Sequence, residues 1–260
     1  MKNLSVFVCS SDAYSDLWPI FFDLFHKYWP QYNGAIYLNT ENKTYKHPHL
    51  NIICTNVGHQ SSFGKTLRKG LDKVETEDIL LLMIDFIFMG DVNTDKMAEY
   101  FKHFKDHNLD SICLYYQNYR AFETTSSKDI LNVIPPSKDM FSFQTAFWKK
   151  TMLYEMALPH ENPWTSEWFG TKRANKIKLK LACLAKDVVI PINYDLAGCL
   201  HKGQWLENAK EHLESINYKI DYSKRGFYVK PKASIKQRLK AKRMYVSHGL
   251  KGSYWDLMRR

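Results

Sequence analysis

The first 90 residues alternate between short apolar runs and longer amphipathic stretches. The runs at 4–9 and 50–54 predict strands, whereas 17–28 and 63–74 place their apolar residues at helical spacing. Alternation of strand and helix is typical of a parallel sheet of the nucleotide-binding type. The pattern therefore predicts an α/β domain.

The later chain continues this pattern less regularly and shows no internal repeat. The predicted elements are, in order, a helix over 93–107, a strand over 111–115, a Thr-, Ser- and Pro-rich loop over 123–136, a strand and helix within 141–156, a turn at 159–164, a helix from about residue 166, a last strand over 188–194 and a Gly-containing loop over 196–204.

One apolar run is longer than the others and carries a single charge. Residues 78–91 read DILLLMIDFIFMGD, which predicts a strand over 79–88 that is covered on both faces. An ionised carboxylate inside a core is costly unless it is paired, hydrogen-bonded or bound to a metal. We therefore expect Asp85 where the strand leaves the core, either as a ligand-binding acid at the sheet edge or as a cap of the following turn.

Composition indicates a soluble globular protein, since 45% of the 260 residues are hydrophobic and 25% are charged. No apolar run reaches the roughly 18–20 residues of a membrane-spanning helix, and the N-terminus lacks the apolar region and cleavage site of a signal peptide. The five cysteines are widely spaced without a CxxC pair. This spacing favours a reducing cytoplasm and disfavours disulfides or a structural zinc site.

The net charge of +10 is concentrated at the C-terminus. Residues 224–260 hold 12 Lys or Arg and one acid, which leaves the rest of the chain close to neutral. We therefore predict a catalytic domain over 1–222 and a basic, aromatic-containing helical tail over 223–260. Basic residues mixed with apolar and aromatic ones favour an anionic membrane surface over nucleic acid. The alternative is a solvated helix packed against the body.

Five segments together resemble a family of bacterial glycosyltransferases that build lipopolysaccharide and capsule. In family order across roughly residues 5–210, they are SSDAYSDLWPIFFDLFHKYWP with the following IYLN, ILLLMIDFIFMGDVN, PSKDMFSFQTAFWKK, HENPWTSEWFG and YDLAGCLHKGQWLENA. The resemblance implies a GT-A type fold, with a mostly parallel central sheet flanked by helices and a nucleotide-sugar bound near the N-terminal strands. It also implies transfer to a glycan or lipid-linked acceptor by a cytoplasmic enzyme, peripheral on the inner face of the cell membrane.

The residues after the first strand are candidate donor ligands in this reading. Ser10, Ser11 and Asp12 offer hydroxyls and a carboxylate to the ribose or base of a nucleotide. Helix capping is the alternative for Asp12 and Asp16, because both precede a predicted helix.

Asp85 is the candidate metal ligand, for Mg²⁺ or Mn²⁺ on the donor diphosphate. Members of the family usually carry two adjacent acids here, but this chain has Ile84 before Asp85. Three alternatives remain: Asp85 with water holds the metal, Asp91 helps, or donor binding is independent of metal.

Basic residues near the predicted site are candidates for diphosphate binding. Lys65 and Arg68 lie on the helix before the Asp85 strand, where solvent-facing charge is the alternative reading. His201 and Lys202 lie in a Gly-containing loop that would close over the diphosphate and stabilise the departing nucleotide. A structural histidine is the alternative for His201.

The acceptor side is predicted around the HENPWTSEW segment. Transfer with inversion needs a base that deprotonates the acceptor hydroxyl. We predict Glu167 as that base and Glu161 as an acceptor ligand or alternative base, with a helix-terminal acid and a surface-loop acid as the structural alternatives. Trp164 is predicted to stack on a sugar face, and the family places donor or acceptor contacts in the segment of Gln144.

The sequence therefore predicts a glycosyltransferase that uses a nucleotide-sugar. One alternative is a sugar nucleotidyltransferase, although SSDAYSD lacks the Gly-rich, basic loop expected for a triphosphate. The other is a non-catalytic protein that binds membrane or nucleic acid through its tail, which leaves the acids at strand ends unexplained.

Overall fold

The computed structural model of the protein describes residues 3–117, 121–230 and 235–258, without the side chains of 235–241 and 254–258. The strands in these ranges are β1 (Leu4–Cys9), β2 (Ile36–Leu38), β3 (Ile52–Cys54), β4 (Asp78–Met83), β5 (Ser111–Cys113), β6 (Phe122–Thr124), β7 (Ile130–Val133), β8 (Ala146–Lys149), β9 (Leu181–Leu184), β10 (Leu200–His201) and β11 (Gln204–Trp205). The α-helices are α1 (Trp18–Tyr28), α2 (Phe63–Leu71), α3 (Thr94–Asp106), α4 (Lys150–Met156), α5 (Pro163–Lys176), α6 (Glu207–Ser215) and α7 (Ile235–Met258).

A central mixed sheet organises the described part of the chain. Its nine strands follow the order β3-β2-β1-β4-β8-β5-β9-β7-β6. The first four run parallel, β8 runs antiparallel to both of its neighbours, and β5 and β9 are parallel again. Only β7 and β8 oppose the other seven strands of this sheet. The predicted α/β fold with a mostly parallel central sheet and flanking helices is confirmed.

Helices cover both faces of this sheet because its central strands are apolar on both sides. In β4, Leu80 and Leu82 face one side and Ile79 and Leu81 the other, and all four are buried. The first side packs against α1, α3 and α6, and the second against α2, α4 and α5. Side-chain alternation along a strand thus produces two cores, one on each face of the sheet.

The predicted strand over 79–88 is too long. Hydrogen bonding as a strand stops at Met83, where the amide of Phe86 bonds back to the Met83 carbonyl at 3.0 Å and turns the chain. Phe86 and Phe88 remain buried, but as loop residues that pack into the core. Their apolar character reflects burial without strand pairing, which a periodicity argument cannot distinguish.

Two later predictions are wrong for related reasons. The segment predicted as a loop over 123–136 contains β6 and β7, which form a hairpin against β9 at the sheet edge. Residues 188–194 do not form a strand, and Val189 and Ile190 are about half exposed at 54% and 49%. The strand is instead β9, whose four residues are all buried between β5 and β7.

The C-terminal segment contacts the body before α7 begins. Trp205 of β11 donates its backbone N–H to Gly226 at 2.9 Å and accepts one from Tyr228 at 2.8 Å. The structure thus joins residues 226–228 to the body, beyond the predicted domain boundary at 222. Among the residues described, none of the helices combines the length and the apolar content needed to cross a bilayer.

Candidate active site

A cavity of about 590 Å³ opens at the carboxyl ends of β1 and β4. Its wall also includes the first turn of α2, the first turns of α5, the residues before β8 and the β10–β11 hairpin. The antiparallel direction of β8 explains part of this arrangement, because the residues that precede β8 meet the residues that follow β4. The sheet edge where α/β folds bind ligands is therefore the place where these segments converge.

Asp85 lies at this edge, two residues after β4, and is one of the residues that line the cavity. Gly198 packs so closely that a Cβ atom there would lie 2.9 Å from Asp85 Oδ2, and its φ of +75° also favours glycine. Among the described residues Asp85 has no ion-pair partner within 4.0 Å. Burial raises the pKa of Asp85 to about 6. The fold thus holds an unneutralised carboxyl group at the cavity wall.

Glu167, on the second turn of α5, also lines the cavity. The backbone N–H of Phe143 donates to Glu167 Oε1 at 2.9 Å, and no described residue bonds to Oε2. Burial raises the pKa of Glu167, and the Phe143 hydrogen bond opposes the shift only in part. One carboxylate oxygen is therefore fixed while the other remains available to a proton donor in the cavity.

The residues after β1 have two different roles: some line the cavity, and Asp12 holds the loop of residues 41–43. Ser10 and Ser11 line the cavity, and Ser10 Oγ accepts a hydrogen bond from Trp18 Nε1 at 2.8 Å. Asp12 does not line it: its carboxylate accepts backbone N–H groups of residues 41–43 at 2.9–3.0 Å. Burial alone would raise the pKa of Asp12, but these three bonds and Lys43 lower it. This placement favours a structural role for Asp12.

The N-terminus of α2 borders the cavity. Ser61 and Ser62 line it, and Ser62 caps the helix by accepting the N–H of Lys65 at 3.4 Å. The N–H of Gly64 is paired as well, with the Glu161 carbonyl at 3.0 Å, so the dipole of α2 rather than free amides would favour an anion here. Lys65 itself is exposed, bonds to Ser61 Oγ at 3.1 Å and does not line the cavity. Arg68, whose alternative reading was solvent-facing charge, is buried, with its guanidinium 3.1 Å from the Ala157 carbonyl.

The β10–β11 hairpin presents His201 and Lys202 at the cavity mouth. Lys202 and Gly203 both have positive φ values, 51° and 79°, as a tight two-residue turn requires. The His201 ring also contacts the Tyr228 ring, with centroids 4.2 Å apart. The predicted loop is thus a short hairpin that carries two basic side chains opposite the sheet edge.

Arg225 connects this hairpin to the segment after β1. Its guanidinium donates to Gly203 O at 3.1 Å, to Ala13 O at 2.8 Å and to both oxygens of Asp16, with Nε–Oδ2 at 2.7 Å. It also lies 5.1 Å from the ring centroid of Tyr14, which lines the cavity. Sequence reasoning missed Arg225, because its partners are about 20 and 210 residues away and no local pattern marks them. Asp16 is therefore an ion-pair partner and does not cap α1.

Trp164 and Gln144 line the cavity on the predicted acceptor side. Trp164 belongs to the first turn of α5 and is 56% exposed. The Gln144 amide bonds to the Leu196 carbonyl at 3.2 Å and accepts the Tyr194 hydroxyl at 3.2 Å. Gln144 therefore ties the segment before β8 to the 194–198 loop while one side of it faces the cavity.

Glu161 does not reach the cavity. It is 0% exposed and forms a bidentate ion pair with Arg173, with N–O distances of 2.8 and 2.7 Å. Ser166 Oγ and the Leu158 N–H complete its hydrogen bonds. This burial argues against the predicted roles of Glu161 as base or acceptor ligand, because no substrate atom can touch its carboxylate.

The described residues do not make a metal site by themselves. Among them, no group of three or more His, Cys, Asp or Glu side chains has a geometry that could hold a metal ion. Magnesium at nucleotide sites often takes only one or two carboxylates together with phosphates and water. Asp85 supplies one such carboxylate, so any metal here would need oxygen ligands from the donor.

Several lining residues had no sequence signal. They share a position in loops that the fold brings to the cavity: Tyr14, Asn39, Glu41, Gln60, Phe143 and Ala197. Their segments precede or follow strands that pair only in the folded state, so their convergence is a tertiary property.

No known protein-family profile matches the chain, and no curated protein matches it. Solved structures do match. The crystal structure of residues 1–349 of S. aureus TarS matches with a TM-score of 0.50 and 15% identity, over 71% of this chain and 58% of that one. TarS 1–349 in complex with UDP-GlcNAc matches with a TM-score of 0.49 and 12% identity, over 85% and 69%.

A structure of UDP-glucose pyrophosphorylase complexed with UDP-glucose matches with a TM-score of 0.43 and 7% identity, over 75% of this chain and 92% of that one. The chain spans 58% of the TarS fragment in the first comparison. At these identities the likeness concerns the fold. The chain therefore has an α/β fold of the GT-A-like nucleotide-binding type.

Proposed function

We propose that the protein is a glycosyltransferase that moves a sugar from a nucleotide-sugar to a glycan acceptor, in lipopolysaccharide or capsule biosynthesis. One observation carries the proposal: a single cavity at the strand ends joins Asp85, the basic hairpin and the Glu167–Trp164 side of α5. The TarS fragment shares the fold at 15% identity. We propose transfer with inversion, in which Glu167 is the base.

The donor diphosphate lies between the N-terminus of α2 and the β10–β11 hairpin in this proposal. The positive end of the α2 dipole near Ser62 and the basic side chains of the β10–β11 hairpin, His201 and Lys202, face the diphosphate from two sides. These groups stabilise the charge that develops on the departing nucleoside diphosphate. Ser10 and Ser11 then face the nucleoside. A divalent cation, when bound, would use Asp85 and the phosphates and would neutralise part of their charge.

Glu167 acts as the base in this proposal. Its Oε2 accepts the proton of the acceptor hydroxyl, the hydroxyl oxygen bonds to the anomeric carbon, and the bond from that carbon to the diphosphate breaks. The raised pKa of Glu167 brings it closer to the operating pH, which strengthens a general base. The Phe143 N–H, at 2.9 Å from Oε1, keeps the carboxylate oriented during the transfer.

The first test measures thermal stability against UDP, GDP, CDP and dTDP, with and without Mn²⁺. One nucleotide at 100 times its dissociation constant should add about 2.7 kcal/mol. Asp85→Ala should remove or weaken that effect, whereas Glu123→Gln, an exposed acid on β6, should leave it intact. A shift that is independent of Mn²⁺ would exclude a required metal, and no shift with any nucleotide would contradict the proposal.

The second test measures turnover of the nucleotide-sugar that corresponds to that nucleotide. Glu167→Gln should lower turnover about 10²–10⁴-fold without weakening nucleotide binding. The wild-type rate should fall as the pH drops through the raised pKa of Glu167, and the variant should lack this dependence. A nucleotidyltransferase would release pyrophosphate from a nucleoside triphosphate, so release of nucleoside diphosphate distinguishes the two reactions.

The basic C-terminal helix supports a proposed location on the inner face of the cell membrane, close to a lipid-linked acceptor. Lys242, Arg243, Val246, Leu250 and Lys251 are exposed on one face of α7, while the opposite face packs on α5. Basic and apolar side chains on one face are typical of helices that bind anionic lipid surfaces. Flotation with phosphatidylglycerol vesicles should retain the wild type and lose a Lys242→Glu, Lys251→Glu variant. Equal flotation of both would contradict this location.

A further inference from the structure

Two exposed tryptophans, Trp164 and Trp168, lie four residues apart on α5, and Trp164 lines the cavity. Trp18, Trp29, Trp148 and Trp205 are at most 3% exposed, whereas Trp164 and Trp168 are 56% and 57% exposed. The side chain of the seventh tryptophan lies outside the described residues. A large indole surface left in water is unusual, and adjacent exposed apolar groups mark interaction sites.

Helix geometry places the two indoles on one ridge. Residues four apart on a helix lie on the same face, about one 5.4 Å turn from each other. The first turn is fixed by a capping box, in which Asn162 and Thr165 exchange hydrogen bonds of 3.0 Å. Trp164 lines the cavity and Trp168 does not, so the ridge runs from the cavity outwards.

Packing does not account for the position of Trp168. Its ring meets Tyr245 of α7 edge-on at a centroid distance of 6.1 Å, and Lys172 Nζ lies 5.4 Å from it. More than half of the indole nevertheless stays exposed. The neighbouring Phe169, by contrast, is partly buried against α7, where a Cβ on Gly249 would lie 3.3 Å from its ring. Contact with α7 therefore buries part of Phe169 and leaves more than half of Trp168 exposed to another partner.

The cavity at the Trp164 end of α5 indicates what kind of molecule would contact Trp168. The cavity-facing carboxylate of Glu167 is on the same two turns of α5 as both indoles. An acceptor whose hydroxyl reaches Glu167 must leave the cavity along its mouth, where Trp164 stands. Flat indoles stack on the apolar C–H face of a sugar ring and leave its hydroxyls in water. Lys172 and Lys176 continue the exposed face of α5, so the surroundings of the two indoles are polar.

We propose that Trp164 and Trp168 form an acceptor subsite that stacks on two successive sugar rings of the glycan, with Trp168 binding the ring farther from the transferred sugar. The proposal rests on the proposed function, because it takes Glu167 as the position of the reacting hydroxyl. Trp168 touches substrate here without taking part in the chemistry.

The test compares three variants of the full chain on an array of bacterial surface glycans. Trp168→Ala should weaken binding to the best-bound glycan about three- to tenfold, and Trp168→Phe should recover most of the loss because an aromatic face remains. Ile177→Ala, which truncates a side chain 53% exposed at the far end of α5, is the matched control and should bind as the wild type. Nucleotide-induced thermal stabilisation should be the same in all three.

The outcomes separate this proposal from the proposed function. Loss of glycan binding in Trp168→Ala with unchanged nucleotide stabilisation supports the subsite. Unchanged glycan affinity, or no glycan bound by the wild type, overturns it even if the nucleotide binds. Retained glycan binding with lost flotation on phosphatidylglycerol vesicles would overturn it and assign Trp168 to a lipid surface. A wild type that binds no nucleotide would contradict the proposed function alone.

Discussion

Two of the acids that line the cavity, Asp85 and Glu167, differ from the acids that surround it. They have no ion-pair partner among the described residues, and burial raises the pKa of both, whereas the third lining acid, Glu41, lies 3.5 Å from His59 Nδ1. The surrounding acids are satisfied by partners: Asp12 by three backbone N–H groups, Asp16 by Arg225, Asp78 by Lys105 and Glu161 by Arg173. A buried carboxylate without a cation is costly, so its persistence at a cavity wall indicates a role in binding or catalysis.

The two ends of β4 show the same contrast within one strand. Asp78 begins the strand, is 3% exposed and forms an ion pair with Lys105 of α3. Asp85 follows the other end and meets Gly198 instead of a cation. Both acids flank the same apolar run, so the difference comes from the elements packed against them. The carboxyl end of the strand is left open to a ligand.

The largest expected effect concerns a surrounding acid. Arg173→Met should lower the free energy of unfolding by about 3–5 kcal/mol, because it leaves the Glu161 carboxylate buried without a cation. Urea denaturation measures the change. The exposed pair Lys102–Asp106 gives the matched control, since Lys102→Met should change stability far less. If Arg173→Met keeps its stability but loses turnover, the pair does not serve to stabilise the fold. Glu161 would then again be a candidate for a role in catalysis or acceptor binding.

A smaller effect of opposite sign is expected at a cavity acid. The folded-state pKa of Asp85, about 6, exceeds its ordinary value of 3.8, so the charged form is disfavoured in the folded protein. Asp85→Asn should therefore stabilise the apo protein by about 1–3 kcal/mol above pH 6. This gain should disappear as the pH falls towards 4, because the folded wild type then takes up the proton.

Denaturation at pH 7.5 and 4.5 measures this difference at Asp85. Asp78→Asn is the control on the same strand and should lose stability at neutral pH, because it breaks the ion pair with Lys105. Destabilisation by Asp85→Asn at neutral pH would show that Asp85 has a stabilising partner, and the distinction between the two ends of β4 would fail.

The smallest expected effect on stability lies at Arg225, which joins the β10–β11 hairpin to the segment after β1. Arg225 is only 14% exposed and donates to two backbone carbonyls, but Asp16 is 33% exposed, so Arg225→Ala should cost about 1–2 kcal/mol, less than the loss of Arg173. It should still weaken binding of the nucleoside diphosphate several-fold, because the hairpin loses its link to the segment after β1. Isothermal titration measures the affinity. Arg225→Lys, which keeps the charge without the bidentate geometry, should be intermediate, and equal affinity of all three proteins would contradict a positioning role.

Much of the candidate site could be located from the sequence, although roles within it could not. Asp85 and Glu167 line the cavity, and each follows a local pattern: an acid near the end of an apolar run and an acid in the first turns of a capped helix. Glu161 and Asp12 follow equally strong local patterns, but the fold pairs Glu161 with Arg173 and Asp12 with the backbone N–H groups of residues 41–43. Local patterns show where an acid lies along the chain and not what it faces.

The sequence by itself determined the alternation of strands and helices, the apolar central strand and the position of Asp85 just beyond it, because these depend on side-chain periodicity within a few residues. Only the tertiary structure decided that a Thr- and Ser-rich segment forms β6 and β7 and that 188–194 stays irregular. It also decided that Arg225 holds the β10–β11 hairpin beside the cavity. These outcomes depend on pairing between residues far apart in the chain, whose energies no local pattern records.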